Sequence, residues 1–242
     1  MQEKETLKID WKKYLDRIFL IHCANYKDRL NQIMSELRRV GILDSGILEI
    51  KENYVNPVDN FLKSKTGVDP RTIIMPLYIE SYRILAESLF KGYERIAIVE
   101  DDALFMKDID KIVELMENVP QGYNLIQMSR ISNKSKYIAR NWDSCRKNRI
   151  NDYFVRADGY EIWSGTFYIV SREGMKQLLD IMAKNARNPD GLFHKMNKVA
   201  ISLNDIAIQG AFKNSIRGSR YDINEFTAEK DIFGTKVDDY GA

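Results

Sequence analysis

RIAIVEDD, residues Arg95 to Asp102, decides how the rest of the chain is read. Its first five residues are almost uniformly apolar, which suits a strand covered on both faces, as in a parallel sheet. The run then ends abruptly in Glu100, Asp101 and Asp102, so three acids sit at a strand's carboxyl end. Before it, LYIESYRILAESLF belongs to a helix predicted from about Pro76 to Phe90, with Pro in its first turn and Gly92 after its end. After it come a helix over Ile109 to Glu117 and a strand over Tyr123 to Met128.

Further toward the start, RIFLIHC (Arg17 to Cys23) is a short apolar run suited to a buried strand. It feeds a helix in which Leu30, Ile33, Met34 and Leu37 recur at helical spacing before Gly41, a C-terminal cap. GILEIKEN alternates as a second strand, and a polar loop containing Pro57, Gly67 and Pro70 follows. The first half thus reads β-α-β-α-β-α-β, the pattern of a three-layer α/β/α sandwich on a mostly parallel sheet. In such sheets ligands bind beyond the strands' carboxyl ends, where the acids lie.

The second half is less regular. Arg130 to Arg156 is a long basic excursion without a clear period. EIWSGTFYIVSREGMKQLLDIMAK gives a strand, a turn and a helix, and Asn204-Asp205 reads as the N-cap pair of a short helix, IAIQGAF. With 242 residues and 44% hydrophobic content, the chain supports one substantial core. The expected division is an N-terminal extension over residues 1–16, one enzyme domain over 17–218, and a C-terminal tail over 219–242.

Composition excludes several classes. The 37 Lys plus Arg nearly balance 35 Asp plus Glu, so no whole-protein field favours nucleic acid or an anionic membrane. Cys23 and Cys145 are too few for a disulfide framework, and the first residues are too polar for a secretory signal. No apolar run approaches the roughly 20 residues a membrane helix requires. The expectation is a soluble, cytoplasmic protein.

Adjacent carboxylates repel one another, and a divalent cation relieves this most simply. Oxygen-only ligands favour Mg²⁺ or Mn²⁺ held between one or two carboxylates and substrate phosphates. Extended geometry would put Glu100 and Asp102 on one face and Asp101 on the other, which makes Asp102 the first metal ligand and Glu100 the second. The plainer alternative is that the acids solvate a loop or cap the next helix. Other candidates also carry two readings. Gly165 and Thr166 bring backbone close to a sugar or mark a bulge. Arg29 reaches a diphosphate or is a solvated helix residue, and His194 is a ligand or merely exposed. The basic excursion, with Tyr137, Trp142, Tyr153 and Phe154, grips an anionic or carbohydrate acceptor or is a solvated loop.

VEDDALF, preceded by a strand and by a helix containing Ser81, resembles the acidic motif of the family 25 glycosyltransferases, which include lipooligosaccharide and collagen galactosyltransferases. IFLIHCANYKDRL is similar to that family's first strand and following Asp-Arg, here Asp28 and Arg29. GTFYIVSREG, Gly165 to Gly174, is similar to its Gly-Thr-x-x-Tyr-x-x-Ser-x-x-Gly segment with the Tyr shifted by one residue. The chain departs from the family in having Ser81-Tyr82 for a frequent Ser-His pair, and His22 where the first strand usually carries Asn. The resemblance implies a GT-A fold, a UDP-sugar or other nucleotide-diphosphate sugar donor with galactose favoured, Mn²⁺ or Mg²⁺ at the acidic motif, and inversion at the anomeric carbon. His22, Arg29, Ser81, Asp101, Gly165 and Thr166 are the residues it sets around the donor. The general base it calls for falls on Asp205, with Asp158 and Glu161 as rivals. The partners are a nucleotide sugar and a glycan or glycoconjugate, and a lipid-linked acceptor would add a peripheral membrane contact. Two other classes share these features: a metal-dependent phosphotransferase or nuclease, which usually needs a second acidic cluster, and a noncatalytic carbohydrate-binding module on the same fold.

Overall fold

A strand as apolar as RIAIV needs cover on both faces, and two layers of helices supply it. The structure, a computed structural model, describes residues 9–24, 27–53, 71–129, 136–162, 164–185 and 189–209, with backbone alone at 53, 71–76, 136–140 and 209. In chain order the elements are β1 (Arg17–Cys23), α1 (Lys27–Arg39), β2 (Leu48–Asn53), α2 (Arg71–Phe90), β3 (Arg95–Glu100), β4 (Ala103–Phe105) and α3 (Ile109–Glu117). Then follow β5 (Leu125–Gln127), α4 (Lys136–Cys145), β6 (Phe154–Arg156), β7 (Phe167–Ser171), α5 (Arg172–Lys184), β8 (Val199–Ser202) and β9 (Ala207–Gln209). Seven strands form one sheet in the order β2-β1-β3-β7-β5-β8-β6, and β4 pairs with β9 in a separate ribbon. β1, β2, β3, β5 and β8 point one way, whereas β7 and β6 run against them.

Side-chain alternation divides the core in two. Ile18, Leu20, Ala97 and Val99 pack with Ile33 and Leu37 of α1 and Ile112, Leu115 and Met116 of α3. Phe19, Ile21, Ile96 and Ile98 pack with Ile84 and Leu85 of α2 and Met175, Leu178 and Met182 of α5. This is the expected α/β/α sandwich with a mostly parallel sheet. Residues from the segment read as an extension also join the core: Trp11 is fully buried, donates from Nε1 to Val40 O at 2.8 Å and meets Phe167 edge-on. Gly41, at φ +74°, ends α1 as the sequence predicts.

Three local expectations change. α2 begins at Arg71, so Pro76 lies inside the helix and not in its first turn. The basic excursion contains α4 and β6; Trp142 and Cys145, at helical spacing, are buried, a pattern the surrounding charges hide. IAIQGAF is no helix where it is described, because Ala207–Gln209 is strand β9. Ile206 and Ile208 favour extended backbone, and β4 offers Ala207–Gln209 a pairing edge. The loop over Pro57, Gly67 and Pro70, residue Trp163, Gly210 to Phe212, and the tail over 219–242 lie outside the described residues. Among the described residues, no helix is long and apolar enough to cross a membrane.

α5 starts at the N-cap Ser171, whose hydroxyl accepts from the Gly174 N–H at 3.1 Å. A Cβ on Gly174 would lie 1.9 Å from the Asn124 carbonyl oxygen. Gly174→Ala is therefore expected to destabilise the fold by about 1–3 kcal/mol in urea titration, since backbone and not a flexible side chain must move. Burial pushes the Cys145 thiol up to about 12. The unfolded chain, with an ordinary thiol, releases that proton first as pH rises from 9. Stability should thus fall between pH 9 and about 12, and in Cys145→Ala this part of the alkaline decline should vanish.

Candidate active site

The same alternation that divides the core separates the acids. Ile96 and Ile98 face α2 and α5, and Glu100, next in that register, faces the same way. Ala97 and Val99 face α1 and α3, and Asp101 follows them to α1. Asp102 lies beyond the strand, in the turn that leads to β4. Glu100 and Asp101 therefore turn to opposite faces of the sheet, and among the described residues no three His, Cys, Asp or Glu side chains gather in a metal-holding group.

Asp101 is 6% exposed and fully engaged by β1 and α1. Its Oδ2 accepts from the Cys23 N–H at 2.9 Å and lies 2.9 Å from His22 Nδ1, while Oδ1 accepts from Arg29 Nη1 at 3.1 Å. Arg29 and His22, set around the donor by the family resemblance, are themselves buried in this cluster. Such a carboxylate keeps its charge at low cost only while its donors remain. α1 holds the far side of the turn as well. Glu36 Oε2 accepts from the Phe105 N–H at 2.9 Å and from Arg39 Nη2 at 2.7 Å, and Arg39 donates to the carbonyls of Phe105 and Met106.

On the opposite face a cleft opens between β3, β7, α2 and the turn Pro189–Lys195. Glu100, Ser81, Gly165, Tyr168 and Asp190 supply its polar and backbone groups, with Ile21, Leu77 and Ile98 behind them. A Cβ at position 165 would meet Glu100 Oε1 at 2.7 Å and the Asp190 Cβ at 3.6 Å, so Gly165 is the gap between the two acids. Burial, and then the negative charges of Glu100 and Asp190, push the Tyr168 phenol well above its ordinary range, opposed by a hydrogen bond with Ser81. It therefore stays a protonated donor among acceptors.

Asp190 is not among the residues the sequence singles out. It sits in NPDGLFHKMN beside His194, and nothing in a single polar turn marks which acid faces a cleft. Of the other candidates, Thr166 is buried and its carbonyl accepts the Glu100 N–H at 3.0 Å. Asp205 is 3% exposed. It precedes β9 and is not among the residues that line the cleft. Asp158 bonds Arg156 and the Val199 N–H, which makes it a structural anchor. Glu161 lies 3.7 Å from His194 Nε2 at the rim of the segment leading to Gly165.

The chain is thus an α/β protein with a small cleft of mixed lining, two acids among its residues, at the carboxyl edge of its parallel strands. No protein-family model matches it, and no curated protein does. Among solved structures it is similar to mouse xyloside xylosyltransferase 1 in its apo form, with 11% identity over 74% of this chain and 80% of that one, at a TM-score of 0.37. It is similar also to a mannosyltransferase from Pyrobaculum calidifontis in complex with GDP-Man and Mn²⁺, with 12% identity over 88% of this chain and 62% of that one, at 0.41. The inositol-1-phosphate CTP transferase from T. maritima gives 8% identity over 81% of this chain and 89% of that one, at 0.38. These are faint likenesses in fold.

Arg29→Met should lower unfolding free energy by about 3–5 kcal/mol, because it strips a buried carboxylate of its cation. Adding Asp101→Asn to Arg29→Met should recover part of that loss in urea titration. If the double variant is instead the sum of two independent losses, the pair is not coupled as drawn.

Proposed function

We propose that this chain is a metal-assisted, inverting glycosyltransferase that moves a hexose from a nucleotide-diphosphate sugar to a hydroxyl of a glycan or glycoconjugate. The observation that carries the reading is the placing of Glu100 and Asp190 on either side of Gly165, in a cleft at the carboxyl edge of β3. The order of the three family-25-like motifs adds the GT-A fold, the UDP-sugar donor and the preference for galactose. A cytoplasmic setting is part of the same proposal.

Asp190 is the general base in this proposal, in place of Asp205, because it lines the cleft and Asp205 does not. Its carboxylate takes the proton of the acceptor hydroxyl as that oxygen attacks the anomeric carbon. The bond from that carbon to the diphosphate oxygen breaks, its electron pair stays on the diphosphate, and attack from the opposite face inverts the centre. Tyr168, held protonated, offers a hydrogen bond to a sugar or phosphate oxygen, and Ser81 orients it.

The donor set fits a hard cation only in part. Glu100 and Asp102 offer oxygen ligands, and Mg²⁺ or Mn²⁺ commonly takes one or two carboxylates with substrate phosphates completing the set. Asp102, on the turn that α1 grips from both sides, and Glu100 would hold it, and it would offset the charge on the departing diphosphate.

With a panel of nucleotide sugars and Mn²⁺, release of nucleoside diphosphate should fall about 10²–10⁴-fold in Asp190→Asn. Asp102→Asn and chelation with EDTA should each abolish turnover, while Asp205→Asn should leave it within about twofold of wild type if burial keeps that acid from the substrate. Full activity in Asp190→Asn would remove the base assignment, and turnover of no nucleotide sugar by the wild type would remove the reading itself.

A further inference from the structure

Behind the cleft, and outside its lining, two buried hydroxyls face each other. Ser129 follows β5 and Ser164 precedes Gly165; they are 0% and 1% exposed, with Oγ atoms 2.7 Å apart. Ser129 Oγ also accepts from the Phe167 N–H at 3.0 Å and lies 3.2 Å from the Phe167 carbonyl. Ser164 Oγ accepts from the Thr166 N–H at 3.3 Å. One proton assignment satisfies every one of these contacts. Ser164 donates to Ser129, Ser129 donates to the Phe167 carbonyl, and the two N–H groups fill the remaining lone pairs. If Ser129 donated to Ser164 instead, the Phe167 carbonyl would lose its hydroxyl donor. Gln127 adds a third tie, donating from Nε2 to the Ile162 carbonyl at 2.9 Å.

Together these bonds fasten Ile162, Ser164 and Phe167 to the end of β5, and Ser164 leads directly into Gly165 and Thr166. That segment carries the two points that define the cleft: Gly165, against which Glu100 Oε1 is packed, and the Thr166 carbonyl, which receives the Glu100 N–H at 3.0 Å. A Cβ at position 165 would lie 2.7 Å from Glu100 Oε1, so the carboxylate as placed packs directly on the glycine. Two buried hydroxyls are a costly way to hold a loop where apolar packing would serve, unless direction matters. We propose that Ser129 and Ser164 are positioning residues, which set the separation of Glu100 and Asp190 across Gly165 without touching substrate. This rests on the glycosyl-transfer reading for its effect on rate, but not for the anchoring itself.

The test uses Ser129→Ala, Ser164→Ala and the double variant of the full chain, with Ser129→Cys as a near-isosteric control should the alanine variants fold poorly. Hydrogen exchange reads the anchoring. The Glu100 amide should exchange about tenfold faster or more in each alanine variant, while the Ile98 amide, deeper in the same strand, keeps its wild-type rate. Turnover reads the consequence: kcat should fall about tenfold or more with donor KM within about twofold, since small misplacements of reacting groups cost rate more than binding. The double variant should be no slower than the worse single one, because the two hydroxyls act as a unit. Unchanged exchange at Glu100 overturns the anchoring. Faster exchange with undiminished kcat overturns the positioning role. A wild type that turns over no nucleotide sugar removes the proposed activity, and the exchange comparison still decides whether the serine pair anchors Glu100.

Discussion

The Asp101 carboxylate is the constraint on which the site depends. It is buried at the end of a strand, where a bare charge would be prohibitively costly, and it is held there by donors from β1 and α1. These contacts fix three things together: the direction of the chain as it leaves β3, the seat of α1 on the sheet, and the side to which each flanking acid turns. Because strand side chains alternate, anchoring Asp101 toward α1 forces Glu100 toward α2 and α5. The cleft is in this sense a consequence of the anchor on the opposite face.

α1 extends that control past the turn. Its Glu36 and Arg39 treat Phe105 as a neighbouring strand would, accepting its N–H and donating to its carbonyl. Asp102 is thus placed between two grips from a single helix, one at Asp101 and one at Phe105. β9 adds a third constraint by pairing with β4 from the other side. A short acidic turn left to itself would sample many conformations, at a cost of about 1–2 kcal/mol per residue to order. Here the cost is met by groups that are already rigid parts of the core.

Much of the fold could be read from the sequence because burial leaves a local signature. RIAIV and RIFLIHC are apolar at every position, and only a strand covered on both faces accounts for that. Gly41 and Gly92 end helices where their neighbours predict. The site was less legible, since its geometry comes from long-range pairing. Arg29 and His22 read as groups free to meet a ligand, yet α1 and β1 turn them onto Asp101. Asp190 lies in a turn without period, and only its approach to Gly165 reveals it. Ile206 to Ile208 is too short a stretch for periodicity to separate helix from strand, and the partner that decides the matter, β4, is about a hundred residues away in sequence. That Asp101 turns away from Glu100 is legible from strand alternation alone, whereas the partners that receive it, Cys23, His22 and Arg29, are more than seventy residues away in sequence.

Gly165 shows how these constraints meet in one position. Its backbone conformation is ordinary, without the positive φ that usually demands glycine. What it supplies is space: the Glu100 carboxylate from β3 lies where a Cβ would be, and Asp190 from the turn after α5 comes within ordinary contact distance. A methyl group here would meet the flexible end of Glu100, which would have to turn away from position 165. The glycine thus keeps open the gap in which that carboxylate lies. Glu100 and Asp190 flank that gap, with a protonated phenol nearby, so that two acidic side chains and a hydrogen-bond donor line a common space.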